Sequence, residues 1–367
     1  MNIDYIEFEN RIKKCSRLYI YGAGIIGYGV YKAIFELYDK NTVAFIVSDK
    51  SNNSVKYAGV DVIDVHEYSK LMKQNDLVVV ATPPEYHNDI ERTLTDINCF
   101  EFVLLIPELE YGLMGAFLKK EAGITCVEDI ICETDTIPAD IKVFMAVSHN
   151  DKELKNSYTE EDFVLKMQVG KSNTDVIHRE AAVFDDYKDN ISSQNNLYGE
   201  LTATYSIWKH YQHEIVGIFH YRRTLDVKPK HLVLFNEDKI DVILPLPFVC
   251  YPDASGQYGR YLCSEDVEIM KEVVFKRYPE FKEKVIELLN GPLLYNYNML
   301  IAKKEVFNDY CEWLFPMLEE ITDRCEKIQR ERMSRYIGRI GEVFTSLYFL
   351  INDKKWKITH APKIWRV

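Results

Sequence analysis

At 367 residues the chain is long enough for two or three domains, each able to bury a core of its own. Lys and Arg number 45 against 57 for Asp and Glu, a net charge of −12 at pH 7, which argues against a general nucleic-acid role and makes any basic patch a local one. The eight cysteines include no Cys-x-x-Cys pair, against a zinc ribbon or a disulfide framework and in favour of a reduced, cytoplasmic setting; no apolar run approaches the roughly 20 residues of a membrane span, so a soluble or peripheral protein is expected.

The first part of the chain alternates strand and helix. Leu18 to Tyr21 reads as a short apolar strand, followed at once by Gly22, Gly24 and Gly27 and then by a helix with Ile26, Val30, Ile34 and Leu37 on one face. Glycines in that context permit a tight turn and leave backbone N–H groups for a phosphate. A second strand, Val43 to Val47, runs into Ser48 and Asp49, where an acid would hold a ribose hydroxyl, although Asp49 serves equally well as a turn residue. Strands at Leu77 to Ala81 and Phe102 to Ile106 complete a Rossmann-like domain over residues 1–110, with Gly22, Gly24, Gly27 and Asp49 as its candidate cofactor contacts. The stretch ATPPEYH resembles the sugar and inositol dehydrogenases, which implies NAD(P). Those enzymes continue into Glu-Lys-Pro with a catalytic lysine, whereas this chain has Ile106, Pro107 and Glu108. The domain therefore lacks an evident hydride-transfer group, and binding a nucleotide or serving assembly alone fits it as well.

Residues 111–140 read as a helical connector broken at Pro138. The strand Ile141 to Val147 opens a new α/β unit and ends in Ser148, His149, Asn150 and Asp151, a polar cluster that faces a nucleotide or merely caps the strand. Gln168 to Lys171 follows. From Asp189 to Thr224 a polar loop (Asp189, Asn190, Ser192, Asn195, Asn196) precedes a helix whose Leu197, Leu201, Tyr205, Trp208 and Tyr211 share one face. Next comes the apolar strand Ile215 to Phe219, which ends in His220, Tyr221, Arg222 and Arg223. Ligands of open α/β sheets lie outside the carboxyl ends of strands, and guanidinium forks match a diphosphate. Downstream, Asp241 to Leu244 is a strand, 251–264 a substrate or surface loop, and Tyr295 to Ala302 a strand with Asn296 and Asn298 on one face. Six basic residues from Arg324 to Arg339 form a solvated helix face or a surface for anionic lipid. Glu342 stands inside an apolar helix, where a carboxylate needs a partner or a task.

With these motifs in place, residues 141–367 resemble a family of bacterial capsular and exopolysaccharide glycosyltransferases, first catalogued as a domain of unknown function, that includes galactofuranosyltransferases. The resemblance rests on His149 at a strand end, Val169 with Gly170, DNISSQNNLYGELTATYSIWK, GIFHYRR, YNYNMLI and GRIGEVF. Gln194, Thr224 and Val343 depart from the family's usual Lys, aromatic and Arg.

The resemblance implies a GT-A-like α/β domain that moves a hexose such as galactofuranose from a UDP-linked donor to a lipid-linked or oligosaccharide acceptor. Glu342 is the candidate base or a ligand for a donor sugar hydroxyl, with Asp189 and Glu200 as competing carboxylates. His149, Gly170, Lys171, Asn190, Asn195, Tyr198, His220, Tyr221, Arg222, Arg223 and Asn298 are the candidate donor contacts. No Asp-x-Asp occurs in this region, so direct cationic stabilisation of the diphosphate is the first expectation. An isolated Asp or Glu still admits a divalent metal, and no cofactor is required. Peripheral membrane contact through Arg324 to Arg339 and a homo-oligomer are both admitted. Two rival readings stay open, an NAD(P)-dependent oxidoreductase acting on a sugar or nucleotide sugar and a non-catalytic assembly protein.

Overall fold

The computed structural model describes residues 3–51, 53–328 and 330–366. The chain up to Ile124, together with Phe248–Pro252, forms one compact unit; Thr125–Pro247 and Asp253–Arg366 form the other.

The first unit contains α1 (Tyr5–Lys14), β1 (Arg17–Tyr21), α2 (Ile25–Tyr38), β2 (Thr42–Val47), β3 (Lys56–Tyr57), β4 (Val60–Asp64), α3 (Val65–Leu71), β5 (Asp76–Val80), α4 (His87–Asp96), β6 (Phe102–Leu104) and α5 (Pro107–Ala122). Its sheet runs β3-β4-β2-β1-β5-β6, and every pairing except the β3–β4 hairpin is parallel. From β4 to β6 that is the 3-2-1-4-5 order of a doubly wound dinucleotide-binding fold without its sixth strand. The apolar runs of β1 and β5 suit a sheet covered on both faces, and Tyr19, Ile20, Val78 and Val79 are almost wholly buried. Gly22 has φ +119°, and its N–H donates to the Ile46 carbonyl at 2.8 Å. A Cβ on Gly27 would lie 1.9 Å from the Gly22 carbonyl oxygen, so only glycine lets α2 sit this close to the turn. The strand expected to reach Ile106 stops at Leu104, because Ile106 and Pro107 start α5.

The second unit contains β7 (Ile141–Val147), β8 (Val164–Gln168), β9 (Val183–Phe184), α6 (Asn195–Tyr198), α7 (Leu201–His210), β10 (Ile215–His220), β11 (Arg223–Leu225), α8 (Pro229–Asn236) and β12 (Val242–Pro245). β13 (Phe248–Val249) lies in the stretch that belongs to the first unit. There follow α9 (Ala254–Tyr258), α10 (Ser264–Arg277), α11 (Lys282–Asn290), β14 (Leu293–Leu294), β15 (Leu300–Lys303), α12 (Lys304–Glu326), α13 (Tyr336–Ile351), β16 (Ile358–Ala361) and β17 (Lys363–Trp365). The main sheet runs β16-β12-β15-β10-β7-β8-β9, with β11 joining β10 to β17. β7, β8, β9 and β10 are mutually parallel, whereas β15 is antiparallel to both its neighbours β10 and β12. The start of β15 therefore lies at the edge where β7, β8 and β10 end. Val143, Met145, Phe219, Ile243 and Ile301 share one core cluster of this sheet.

Three sequence expectations are corrected. The helix expected across Leu197 to Tyr211 is two helices, because Gly199 (φ +58°, ψ −133°) breaks it, and α7 is buried through Leu201, Ala203 and Ile207 rather than by the aromatic stripe. Tyr205 and Trp208 are half-buried and pack on Phe315 at centroid distances of 5.0 and 5.6 Å. The strand expected from Tyr295 begins only at Leu300, since Tyr297 (φ +76°) and Asn298 (φ +49°) adopt left-handed backbone that no strand accommodates. From Asp253 the 251–264 stretch is a packed segment, with Ala254, Gln257, Tyr258 and Leu262 buried.

Candidate active site

Parallel pairing puts the carboxyl ends of β7, β8 and β10 side by side, His220 opposite Ala146 and Val147 opposite Gln168. The residues that follow these strands surround a cleft lined by Ser148, Asp151, Asn195, Glu200, His220, Tyr221, Arg222, Arg223 and Arg335. Clefts at such an edge are where open α/β sheets place their ligands.

At the end of β7, Asp151 accepts the Ser148 N–H at 2.6 Å; burial raises its carboxyl above the usual range, against the pull of that bond and of His178, Arg335 and Arg222. His149 lies outside the cleft lining, and its buried Nδ1 has no hydrogen-bond partner. At the end of β8, Gly170 has φ +67°, and its N–H and that of Lys171 donate to the two oxygens of Asp185 at 2.8 and 3.1 Å. Asp185 is wholly buried and also accepts the Ser192 hydroxyl at 2.5 Å, so one carboxylate ties the β8 turn to the polar loop ahead of α6. A Cβ on Gly170 would come within 3.0 Å of Asn195, whose amide reaches back to the Gly199 carbonyl at 2.8 Å. The Lys171 ammonium is held locally by the Thr174 carbonyl at 2.9 Å.

At the end of β10 the chain reverses in two residues, with His220 paired to Arg223 and Tyr221 and Arg222 at the apex. The Arg223 guanidinium lies over the Tyr297 and Trp365 rings, 4.5 and 4.6 Å from their centroids, in the corner of an edge-to-face pair whose own centroids are 6.0 Å apart, and its buried Nε lacks a hydrogen-bond partner. The pairing of β11 with β17, Arg223 opposite Trp365, fixes that stack. Tyr221 is buried, with its N–H on the Ala146 carbonyl. Arg222 and Arg335 differ: each lines the cleft, and neither side chain makes an ion pair or hydrogen bond among the described residues. Arg335 is in place because its left-handed residue (φ +62°) starts α13, with its N–H on the Asn196 carbonyl at 2.8 Å.

Of the three candidate carboxylates, only Glu200 lines the cleft. The break at Gly199 puts it at the start of α7, where its Oε1 accepts from the Asn298 amide at 2.7 Å and lies 3.7 Å from His220 Nε2. His220 bonds the Tyr297 carbonyl at 2.5 Å, so Nε2 carries the proton; burial lowers its basicity, outweighing the opposite pull of Glu200 and of that carbonyl, and the imidazole is neutral near pH 7. Glu342 sits off the cleft on α13, buried, accepting the Tyr297 N–H at 3.1 Å and an Arg339 N–H at 3.0 Å. Burial pushes its carboxyl up to about 7, with Arg339 opposing and Glu200 adding to the rise. Asp189 is on the outer surface, bonded by the Tyr205 hydroxyl at 3.0 Å.

Several other candidates have structural employment. Tyr198 is buried and shares a hydrogen bond with the Thr322 hydroxyl at 2.9 Å, and Asn190 closes a turn through the Lys188 carbonyl and the Ser192 N–H. Asn298 is buried, between Glu200 and α13. In the first unit Asp49 accepts the Ser51 N–H and hydroxyl at 2.8 and 2.6 Å, a turn rather than an extended arm, and Gly24 starts α2 with open space beside it. Within the basic run Arg324 pairs with Glu272, Arg330 with Glu265, Arg332 with Asp266 and Arg339 with Glu342. Among the described residues no helix is long and apolar enough to cross a membrane, and no three His, Cys, Asp or Glu side chains are grouped as a metal site. Asp185 carries no motif in the sequence, and Arg335 is distinguishable there only as one of six basic residues.

A family model described as a domain of unknown function, DUF4422, matches residues 142–354. The chain belongs to this family. The DUF4422 segment holds every residue of the cleft. No curated protein matches the chain. Among solved structures it is similar to one titled as the apo structure of WbbM, a bifunctional glycosyltransferase, with 24% identity and a TM-score of 0.52 over 62% of this chain and 45% of that one. The DUF4422 chain thus spans less than half of that protein, and the likeness establishes a glycosyltransferase-like α/β fold.

Proposed function

We propose that the cleft transfers a sugar from a nucleotide-diphosphate donor to a hydroxyl group of an acceptor glycan. The observation that carries this reading is the pair of guanidinium groups of Arg222 and Arg335, which line one cleft without a direct ion pair, with Asp151 and the free edge of Glu200 in the same cleft. Cations at a strand edge that make no direct ion pair are stabilised by an incoming dianion, and planar guanidinium forks bind phosphate oxygens in pairs. Arg223, held against the Tyr297 and Trp365 rings, adds positive potential without leaving its place. As the glycosidic bond breaks, charge builds on the departing diphosphate, where these cations act. Glu200, one oxygen occupied by Asn298, receives the acceptor proton on the other. The motif resemblance supports the finer reading of a UDP-linked hexose, galactofuranose included, and a lipid-linked acceptor in capsular or exopolysaccharide synthesis.

The test is a thermal-shift panel of UDP-, GDP-, CMP- and dTDP-sugars beside NAD(H) and NADP(H), followed by assay of donor hydrolysis. A donor at 100 times its dissociation constant stabilises the native state by about 2.7 kcal/mol. We expect a uridine diphosphate sugar to raise the melting temperature and to be slowly hydrolysed; a shift with nicotinamide nucleotides alone would overturn the reading.

A further inference from the structure

Tyr297 and Asn298 are consecutive non-glycine residues with positive φ, +76° and +49°. Such backbone is costly and persists only where its surroundings enforce it. Here two of the enforcing groups, His220 and Glu200, line the cleft, and the others, Gly338, Glu342 and Thr345, belong to α13. The Tyr297 N–H donates to Glu342 at 3.1 Å, while its carbonyl accepts from His220 at 2.5 Å. The Asn298 amide donates to Glu200 at 2.7 Å and to the Gly338 carbonyl at 3.1 Å, and its Oδ1 accepts the Thr345 hydroxyl at 3.1 Å. Thr345 in turn bonds the Tyr310 hydroxyl at 2.7 Å, deep between α12 and α13. Two residues thus link the end of β10, the start of α7 and two turns of α13. They can do so because β15 is antiparallel, so that its approach lies at the edge where β10 ends.

We infer that the left-handed Tyr297–Asn298 step is the positioning device of the cleft, and that Asn298 acts by orienting Glu200 rather than by touching a ligand. Asn298 is 2% exposed and absent from the cleft lining, and all its bonds go to protein groups. The Gly338 carbonyl can only accept, which fixes which end of the amide is the donor, and the single Thr345 hydroxyl proton lies between Oδ1 at 3.1 Å and the Gly341 carbonyl at 2.9 Å; the N–H2 then points at Glu200 and holds Oε1, leaving the second oxygen for chemistry. Aspartate at 298 would place an acceptor and a charge against Glu200 in place of a donor.

This inference rests on sugar transfer at the cleft, and the experiment separates the two. With the donor that binds best in the panel above, Asn298→Asp is expected to lower kcat at least 100-fold while donor KM stays within about threefold. The acid limb of its pH–rate profile should move upward. Asn298→Ala, which removes a hydrogen bond from the charged form of Glu200 without adding a charge, should lose kcat and move that limb upward by less than Asn298→Asp does, and Thr345→Val, which keeps the amide and removes the hydroxyl beside it, should lose about tenfold and serves if the Asn298 variants fail to fold. A tenfold rise in donor KM with kcat retained would show a ligand contact and overturn the inference, as would kcat within threefold of the parent in all three. If no donor is turned over at all, nitrogen-15 NMR decides: the Asn298 side-chain amide protons should exchange slowly with D2O, and Glu200→Gln should shift them. Fast exchange, or no shift, would overturn it independently of any reaction.

Discussion

Arg339 donates to Glu342 at 3.0 Å, and yet the Glu342 carboxyl stands at about 7. Burial outweighs the ion pair, because Arg339 is 34% exposed and stacked on Tyr261 whereas Glu342 is 4% exposed. An acid whose folded-state value is raised keeps its proton when the unfolded chain has lost it. Stability from this group is therefore full below about pH 4.5 and declines as pH rises to about 7. The expected size is on the order of 3 kcal/mol. Urea unfolding of the parent and of Glu342→Gln across that window should show the difference between them shrinking or reversing by about that amount; parallel curves would mean that Glu342 titrates normally.

Glu200 and Glu342 separate in turnover. Glu200→Gln removes the only candidate carboxylate that lines the cleft and should lower kcat by roughly 10²- to 10⁴-fold, the usual worth of a positioned base. Glu342→Gln keeps a carbonyl for the Tyr297 N–H and should retain kcat within about tenfold. The reverse ranking would move the base to Glu342.

Arg222→Ala and Arg335→Ala should each weaken donor binding by about 10- to 150-fold, from roughly 1.5 to 3 kcal/mol per charged hydrogen bond. Neither should cost stability, since neither side chain is bonded to the protein. Lysine at either position should recover little, because it lacks the planar fork. Calorimetric titration with UDP reads the effect, and affinities within threefold of the parent would remove both from the diphosphate site.

Asp185→Ala leaves the N–H groups of Gly170 and Lys171 and the Ser192 hydroxyl without their buried acceptor. Unsatisfied buried groups cost about 1 to 3 kcal/mol each, so a loss of roughly 3 to 5 kcal/mol is expected after partial relaxation. Denaturant titration measures it; a loss under about 1 kcal/mol would mean that the β8 turn holds itself.

His360 gives an opposite pH signature. It is buried between the Tyr295 hydroxyl and the Thr125 carbonyl, and burial depresses it to about 4. Its contribution is full above the ordinary histidine value near 6.5 and is lost as pH falls to about 4. His360→Asn should flatten the acid side of the stability curve; an unchanged slope would assign acid loss elsewhere.

What the amino-acid sequence by itself determined here is whatever depends on local periodicity and local backbone chemistry. The parallel strands at Leu18, Val43, Leu77, Ile141 and Ile215 stand within a residue or so of their expected places, since continuous apolar runs bounded by glycine or polar residues have one economical burial. The glycine turn at Gly22, Gly24 and Gly27 and the basic end of β10 were legible for the same reason. Tertiary structure decided which groups share a cleft. The antiparallel insertion of β15 brings Asn298 to Glu200, 98 residues away, and Arg335 reaches the β10 end through a helix start that its own sequence does not announce. The left-handed pair at Tyr297 and Asn298 overrode the strand pattern around it, because long-range hydrogen bonds there outweigh a propensity worth at most about 1 kcal/mol per residue, and at Gly199 glycine's backbone freedom and local hydrogen bonds to Asn195 and Thr202 broke the helical pattern. Asp185 owes its role to burial alone, a quantity set by how the whole sheet closes over it.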